Sequence, residues 1–213
     1  MNPTYFSSSD ILQMETRTRA AFINSLSGFK SASLIGTIDV NGQTNLAIFS
    51  SVFHIGSNPA LIGFINRPDT ADRHTLENIL ATNCFTINHV HAGIYRQAHQ
   101  SSARYPKAIS EFEATGLTPE FLPLLAAPYV KESKIKYGLS LVETHHLAIN
   151  GTILVIGKVE EIILPENCVL PTGAIAIEQA ETIAISGLDS YHNTQLLGRL
   201  SYAKPDSLPT DLI

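Results

Sequence analysis

Apolar residues along this chain fall mostly in short runs of strand length separated by turn dipeptides, and only a few stretches show the spacing of an amphipathic helix. Between Ser31 and Val40, the residues Ala32, Leu34, Ile38 and Val40 share one strand face, and Asn41-Gly42 follows. Both turn residues tolerate the positive φ of a type I′ turn, so a two-residue hairpin is expected. That loop sets Ile38 opposite Asn45, Gly36 opposite Ala47, Leu34 opposite Phe49 and Ala32 opposite Ser51. A thin Gly36–Ala47 pair marks either a bend or a place where a flat ligand approaches the backbone. Ser50 and Ser51 then point to opposite faces unless the strand bulges near its end.

The same reading gives strands over Ala60–Asn66, after an Asn58-Pro59 turn, and over Cys84–Val90. A second long hairpin, Tyr137–Ile149 with Thr152–Leu164, turns at Asn150-Gly151 and sets Glu143 opposite Lys158. The neighbouring His145 and His146 point to opposite faces and receive no function. Helices are expected from a Ser9-Asp10 cap to about Ser25, closed by Gly28, and from Thr75 to Ala81. Shorter ones are expected over residues 92–102, Pro119–Ala126 and Ile175–Thr182, then a last strand near Leu197–Tyr202. Antiparallel strands with inserted short helices describe a mainly β (α+β) barrel with peripheral helices. Helices do not alternate with strands, and neither GxGxxG nor a Walker A sequence occurs, which disfavours a Rossmann domain.

Length and charge narrow the partners. With 213 residues, 44% of them hydrophobic, and no Pro/Gly/Ser-rich linker, residues 1–213 are expected to form one domain, with 1–28 as an N-terminal helical segment and 206–213 as a flexible tail. A net charge of −5 without a large Lys/Arg cluster argues against nucleic acid and anionic membranes. The first residues have no basic and apolar leader pattern and no apolar run is long enough to span a bilayer, so a cytoplasmic location is expected. Cys84 and Cys168 lack a CxxC or Cys/His spacing and are expected to be reduced and structurally ordinary.

Candidate chemistry concentrates between Asn45 and Thr75. Arg73 and His74 immediately precede a helix start at Thr75, where positive charge opposes the macrodipole. A bound phosphate would resolve the conflict by meeting both cations, the Thr75 hydroxyl and the first-turn N–H groups. The alternative is that Arg73 and His74 face solvent while Thr75 caps the helix. His89, His91 and His99 are the candidates for a metal set, but no Asp or Glu completes it, and an edge pair of ordinary histidines is the better reading.

The order of these residues resembles a known family. Asn45, Ala47, Phe49, Ser50 and Phe53, then Asn66-Arg67-Pro68, then Arg73, Thr75 and Asn78-Ile79, are similar to the flavin reductase-like, FMN-binding split-barrel family, which includes the flavoredoxins. Glu111-Phe112-Glu113 with Gly116-Leu117-Thr118-Pro119, followed by Pro128 and Glu132-Ser133, resembles a further segment of that family. The resemblance covers roughly residues 30–165. It implies an antiparallel Greek-key split β-barrel that binds FMN and transfers hydride between NADH or NADPH and the flavin. It implies cofactor contacts from Asn45, Ala47, Phe49, Ser50, Ser51, Asn66 and Ser102, and a phosphate held by Arg67, Arg73, His74 and Thr75. Ser101 is the alternative to Ser102. Tyr191 and His54 are candidates for lining the nicotinamide side, although the glycine-rich segment that precedes the tyrosine in the family is altered here to Gly187-Leu188-Asp189-Ser190. No side chain need act as acid or base, no metal is required, and a homodimer with the flavin near the subunit boundary is implied. The alternatives are an FMN-binding electron carrier that does not itself turn over NAD(P)H, and a cofactor-free or metal-binding barrel.

Overall fold

The computed structural model describes residues 3–68 and 74–212. Arg73 lies outside them. The chain opens with helix α1 (Ser8–Gln13), capped reciprocally by Ser7 and Asp10, and α2 (Thr16–Ser25), whose first N–H groups are accepted by the Glu15 carboxylate. One continuous helix was expected; Glu15 breaks it by capping a second start. Neither helix buries a residue, and Gly28, with φ +71°, follows as the chain turns toward β1 (Lys30–Ser31).

The main sheet contains β2 (Ser33–Ile38), β3 (Thr44–Phe49), β4 (Phe53–Ser57), β5 (Ala60–Asn66), β6 (Cys84–His89), β9 (Lys136–Leu147) and β10 (Thr152–Ile163). Two short strands, β7 (Pro119–Glu120) and β8 (Tyr129–Val130), pair separately, and β11 (Ala184–Ser186) with β12 (Ser190–His192) joins β1 in a small sheet. Helices α3 (His74–Thr82), α4 (Tyr95–Gln100) and α5 (Glu111–Thr115) are inserted between strands. The seven main strands run in the order β3-β2-β6-β9-β10-β5-β4, all antiparallel. β3 and β4 stand at opposite ends of that order, yet only Ser50, Ser51 and Val52 join them, so the sheet must curl until its ends meet. The Ser51 hydroxyl completes the meeting by accepting the Ile65 N–H at 3.1 Å and donating to the Ile65 carbonyl at 3.0 Å.

Curling gives β2 two buried faces. Leu34 joins Leu46, Val90, Phe112 and Ile185 under α4 and α5, whereas Ile35 faces the interior with Phe64, Phe85, Leu139 and Val155, capped by Leu76 and Ile79 of α3. Every residue from Ser33 to Thr37 is consequently buried.

The first hairpin differs from expectation by one residue. Asp39 N–H donates to Gln43 O at 3.0 Å and Gly42 N–H to Asp39 O at 3.1 Å, while Asp39 Oδ1 accepts the N–H groups of Asn41 and Gln43. Val40-Asn41-Gly42 is therefore a three-residue loop with Gly42 at φ +89°, a competitor that an aspartate before Asn-Gly favours. Ile38 pairs with Thr44 and Gly36 with Leu46. The expected Gly36–Ala47 pair does not form, and what approaches Gly36 is protein: a Cβ there would collide with the Pro128 carbonyl oxygen and lie 2.6 Å from Thr86 Oγ1.

The second hairpin also has a longer loop, since the strands stop at Leu147 and resume at Thr152, and the register shifts beside Gly157. Glu143 faces Ile156 and Lys158 faces Ser140, so the expected cross-strand ion pair is absent; Lys158 instead lies 3.3 Å from Glu160. No helix forms over Pro119–Ala126, where a ring at Pro123 would remove a helical bond and Pro119-Glu120 pairs with β8. Ile175–Thr182 is a series of turns broken by Glu181 at φ +58°, and Leu197–Tyr202 is irregular, tied to the tail through Ser201 N–H to Thr210 O at 2.9 Å. Both cysteines are free and buried. Among the described residues, no helix is long and apolar enough to cross a membrane.

His89, at the end of β6, lies near the Thr182 hydroxyl (3.3 Å) and edge-on to the Tyr137 ring, and burial pushes its imidazole down to about 4. The unfolded chain binds a proton near 6.5 that the native state refuses until about 4, so stability falls as pH drops through that window. The loss should reach at most about 3 kcal/mol at ~1.4 kcal/mol per pH unit. Urea melts between pH 7 and pH 4 should show this component in the native protein and not in His89→Gln.

Candidate functional site

A cavity of about 790 Å³ opens where the curled sheet fails to pair, along the outer edge of β3. Its floor is Asn45, Ala47, Ile48, Phe49, Ser50 and Ser51; one end is formed by Ile65, Asn66 and Arg67 at the close of β5 and by His74 and Thr75 opening α3. The far wall comes from His99, the loop Ser101–Pro106, Glu111, and the β11–β12 hairpin through Ile185, Leu188 and Tyr191.

A buried polar network fixes the floor to the helix. Asn45 Nδ2 donates to Thr37 Oγ1 and Thr75 Oγ1, both at 3.1 Å, and Asn78 Nδ2 donates to Thr37 Oγ1 at 3.2 Å. All four residues are buried, so strands β2 and β3 and the first turns of α3 are held together by bonds that water cannot replace. With its amide hydrogens committed to protein, Asn45 has its carbonyl oxygen left for a ligand. The Leu46 N–H donates to the buried Glu111 carboxylate at 3.0 Å, so Leu46 turns its backbone away from β2. Antiparallel alternation then turns the backbone of Ile48 the same way, giving the cavity a strand edge with exposed polar groups.

Charge is unevenly distributed. Arg67 and His74 stand at the α3 end, and Arg104 enters from the loop after α4. Desolvation, with Arg67's charge adding to it, lowers the pKa of Lys30, whose ammonium is held by Asn24 and by Gly187 O at 3.1 Å. The acid on the wall is Glu111: burial raises its carboxyl pKa, against the lowering effects of the Leu46 N–H, its own backbone N–H and His74. Apolar groups in the middle and cations at one end suit a flat heteroaromatic ligand with a phosphate tail.

The structure brings together Asn45, Ala47, Phe49, Ser50, Ser51, Asn66, Arg67, His74, Thr75, Ser102 and Tyr191 around one cavity. Ser50 and Ser51 both reach it because β3 ends at Phe49 and the chain bends after it. The Ser51 hydroxyl is spent on Ile65 and that of Ser102 on His99 O at 2.7 Å. His54 is not among these lining residues: it lies exposed on β4, opposite Ile62. His89, His91 and His99 go to three different partners, Thr182, Glu132 O and Tyr191. Sequence reasoning missed Arg104, Tyr105 and Pro106 as lining residues. An arginine directly after the Ser101-Ser102 helix end was the available signal.

A model for the flavin reductase like domain matches residues 27–175. The chain belongs to the flavin reductase-like family. A protein from Shewanella frigidimarina NCIMB 400, assigned as a flavin reductase with split barrel domain, is 57% identical, with TM-score 0.91 over 94% of this chain and 100% of that one. Flavoredoxin of Desulfovibrio vulgaris (Miyazaki F) shares the fold at 22% identity, TM-score 0.68, over 84% of this chain and 92% of its own. An uncharacterised Aquifex aeolicus protein is 31% identical over 62% of this chain and 70% of its own length. Family membership makes the curled sheet a split barrel and the protein a flavin-linked oxidoreductase.

Thr37→Val keeps the shape and removes the acceptor shared by Asn45 and Asn78, leaving two buried amide donors unmatched. It should cost about 1–3 kcal/mol in urea denaturation, far more than a surface Thr→Val change.

Proposed function

We propose that the cavity binds FMN and that the protein passes hydride from NADH or NADPH to it. The observation that carries this reading is the gradient along one cavity, from the apolar, backbone-lined floor of β3 to Arg67, His74 and Thr75 at the start of α3. In this reading Ala47–Ser51 would hold the isoalloxazine, Asn45 and Asn66 its polar edge and ribityl chain, and Arg67, His74, Thr75 and, from sequence, Arg73 the phosphate. When bound, the flavin supplies the two-electron acceptor: NAD(P)H gives up a hydride and solvent a proton, leaving NAD(P)+ and reduced flavin. The chain's own residues bind, orient and exclude water. Unpaired Cys84 and Cys168 and a pyridine-nucleotide substrate support a cytoplasmic location.

The purified protein, mixed with FMN and dialysed, should keep the two visible flavin bands and lose them when anaerobic NADH or NADPH is added. Bands that persist but do not bleach would favour an electron carrier without its own nucleotide turnover; FMN that washes out entirely defeats the assignment. Arg67→Ala should weaken FMN by about 10- to 100-fold while leaving riboflavin, which has no phosphate, little changed.

The homodimer proposal is supported by an open sheet edge. β6 covers β9 only as far as Ser140, Val142 is skipped at the register shift, and residues 143–147 pair with β10 alone, with Val142 50% exposed and Ile149 of the adjoining loop 95%. Such an edge invites a second chain. Light scattering should give twice the 23.1 kDa chain mass, and a mass of 23.1 kDa at micromolar concentration would exclude the dimer.

A further inference from the structure

The cavity wall facing β3 has its own organisation. Tyr191 on β12 and His99 on α4 both line it, and the Tyr191 hydroxyl lies 2.9 Å from His99 Nδ1. The Tyr191 ring is tilted against Tyr95 at 5.5 Å and stands edge-on to His99 at 5.8 Å, so its position is fixed from two sides. Burial, with Asp189 adding to it, raises the Tyr191 pKa, and the hydroxyl keeps its proton. A phenol is the better donor and an imidazole nitrogen the better acceptor, so the shared hydrogen belongs to Tyr191. With Nδ1 accepting, the hydrogen of the imidazole is on Nε2. Among the described residues, no protein group takes up that nitrogen.

Together with Leu188 and Ile185, the His99–Tyr191 patch of this wall offers an aromatic face, apolar neighbours and one imidazole N–H donor; the charged groups of the same wall, Arg104 and Glu111, come from other segments. We propose that His99 and Tyr191 are the recognition element for the second, non-flavin substrate: a planar ring bearing a carbonyl or carboxamide oxygen, which accepts from His99 Nε2 while its plane lies against Tyr191. The proposal rests on the flavin reading above and assigns the opposite side of the same cavity. Tyr191 is the positioning residue, because its hydroxyl selects the His99 tautomer that can donate. A site that uses a hydrogen bond in this way discriminates strongly against an analogue lacking the acceptor.

The test uses FMN-loaded protein titrated with NAD+, NADP+ and a pyridine dinucleotide that lacks the carboxamide, read from the perturbation of the flavin absorbance; no turnover is involved. The native protein should prefer the carboxamide-bearing nucleotides. His99→Ala should weaken them by about ten-fold and abolish the preference, Tyr191→Phe by about three-fold, and His99→Gln, which keeps a donor, should recover most of the loss. The dissociation constant of FMN, from quenching of its fluorescence, should stay within about two-fold in all three, as expected for groups that do not touch the flavin phosphate. The proposal is overturned if His99→Ala leaves nucleotide binding unchanged, if it weakens FMN by the same factor, or if FMN-loaded native protein binds no pyridine nucleotide. Failure of FMN to bind at all is a separate result, which removes the flavin reading and this one with it.

Discussion

The architecture depends on a three-residue tether. Ser50, Ser51 and Val52 must carry the chain from one end of a seven-strand order to the other, and no flat sheet permits that. The ends therefore meet, and they meet without a ladder: a serine hydroxyl, donating and accepting on Ile65, substitutes for strand pairing. Because backbone pairing stops there, β3 keeps an open edge, and the cavity is the space beside it. The cleft is thus a direct result of how the barrel closes.

What surrounds the cleft is then held by polar bonds rather than by bulk. Thr37, Asn45, Thr75 and Asn78 form one buried set that ties the floor to α3, and Glu111 ties β3 to α5 through the Leu46 N–H. Each of these groups would be costly to bury alone. Together they place a rigid strand edge, a helix start and a carboxylate within one enclosure, which suits a ligand that is itself flat, polar at its rim and anionic at one end.

The long strands of the main sheet and most of the cavity floor were legible in the sequence, and the reason is local. Ala60–Asn66 announces itself by an apolar run after Asn58-Pro59, and the residues from Asn45 to Ser51 are neighbours in the chain, so one correct strand delivers most of the floor. Registers were not legible, since a side chain decided them: the Asp39 carboxylate turned a two-residue loop into a three-residue one, and every pairing moved with it. Gly36 suggested a bend or the approach of a flat ligand, and its neighbour is the Pro128 carbonyl, ninety-two positions further along the chain. The far wall was harder again, because His99, Arg104, Glu111 and Ile185 come from separate segments that only the folded chain assembles.

The open edge of β3 carries one more consequence, for handling rather than for catalysis. A strand edge with outward polar groups is a template on which another strand can add, and here Glu111 satisfies the Leu46 N–H while the next positions face the cleft. Any molecule that fills the cleft also shields that edge. Shelf life and freedom from aggregation would then track occupancy, so the same groove that serves chemistry acts, when empty, as the weak seam of the particle.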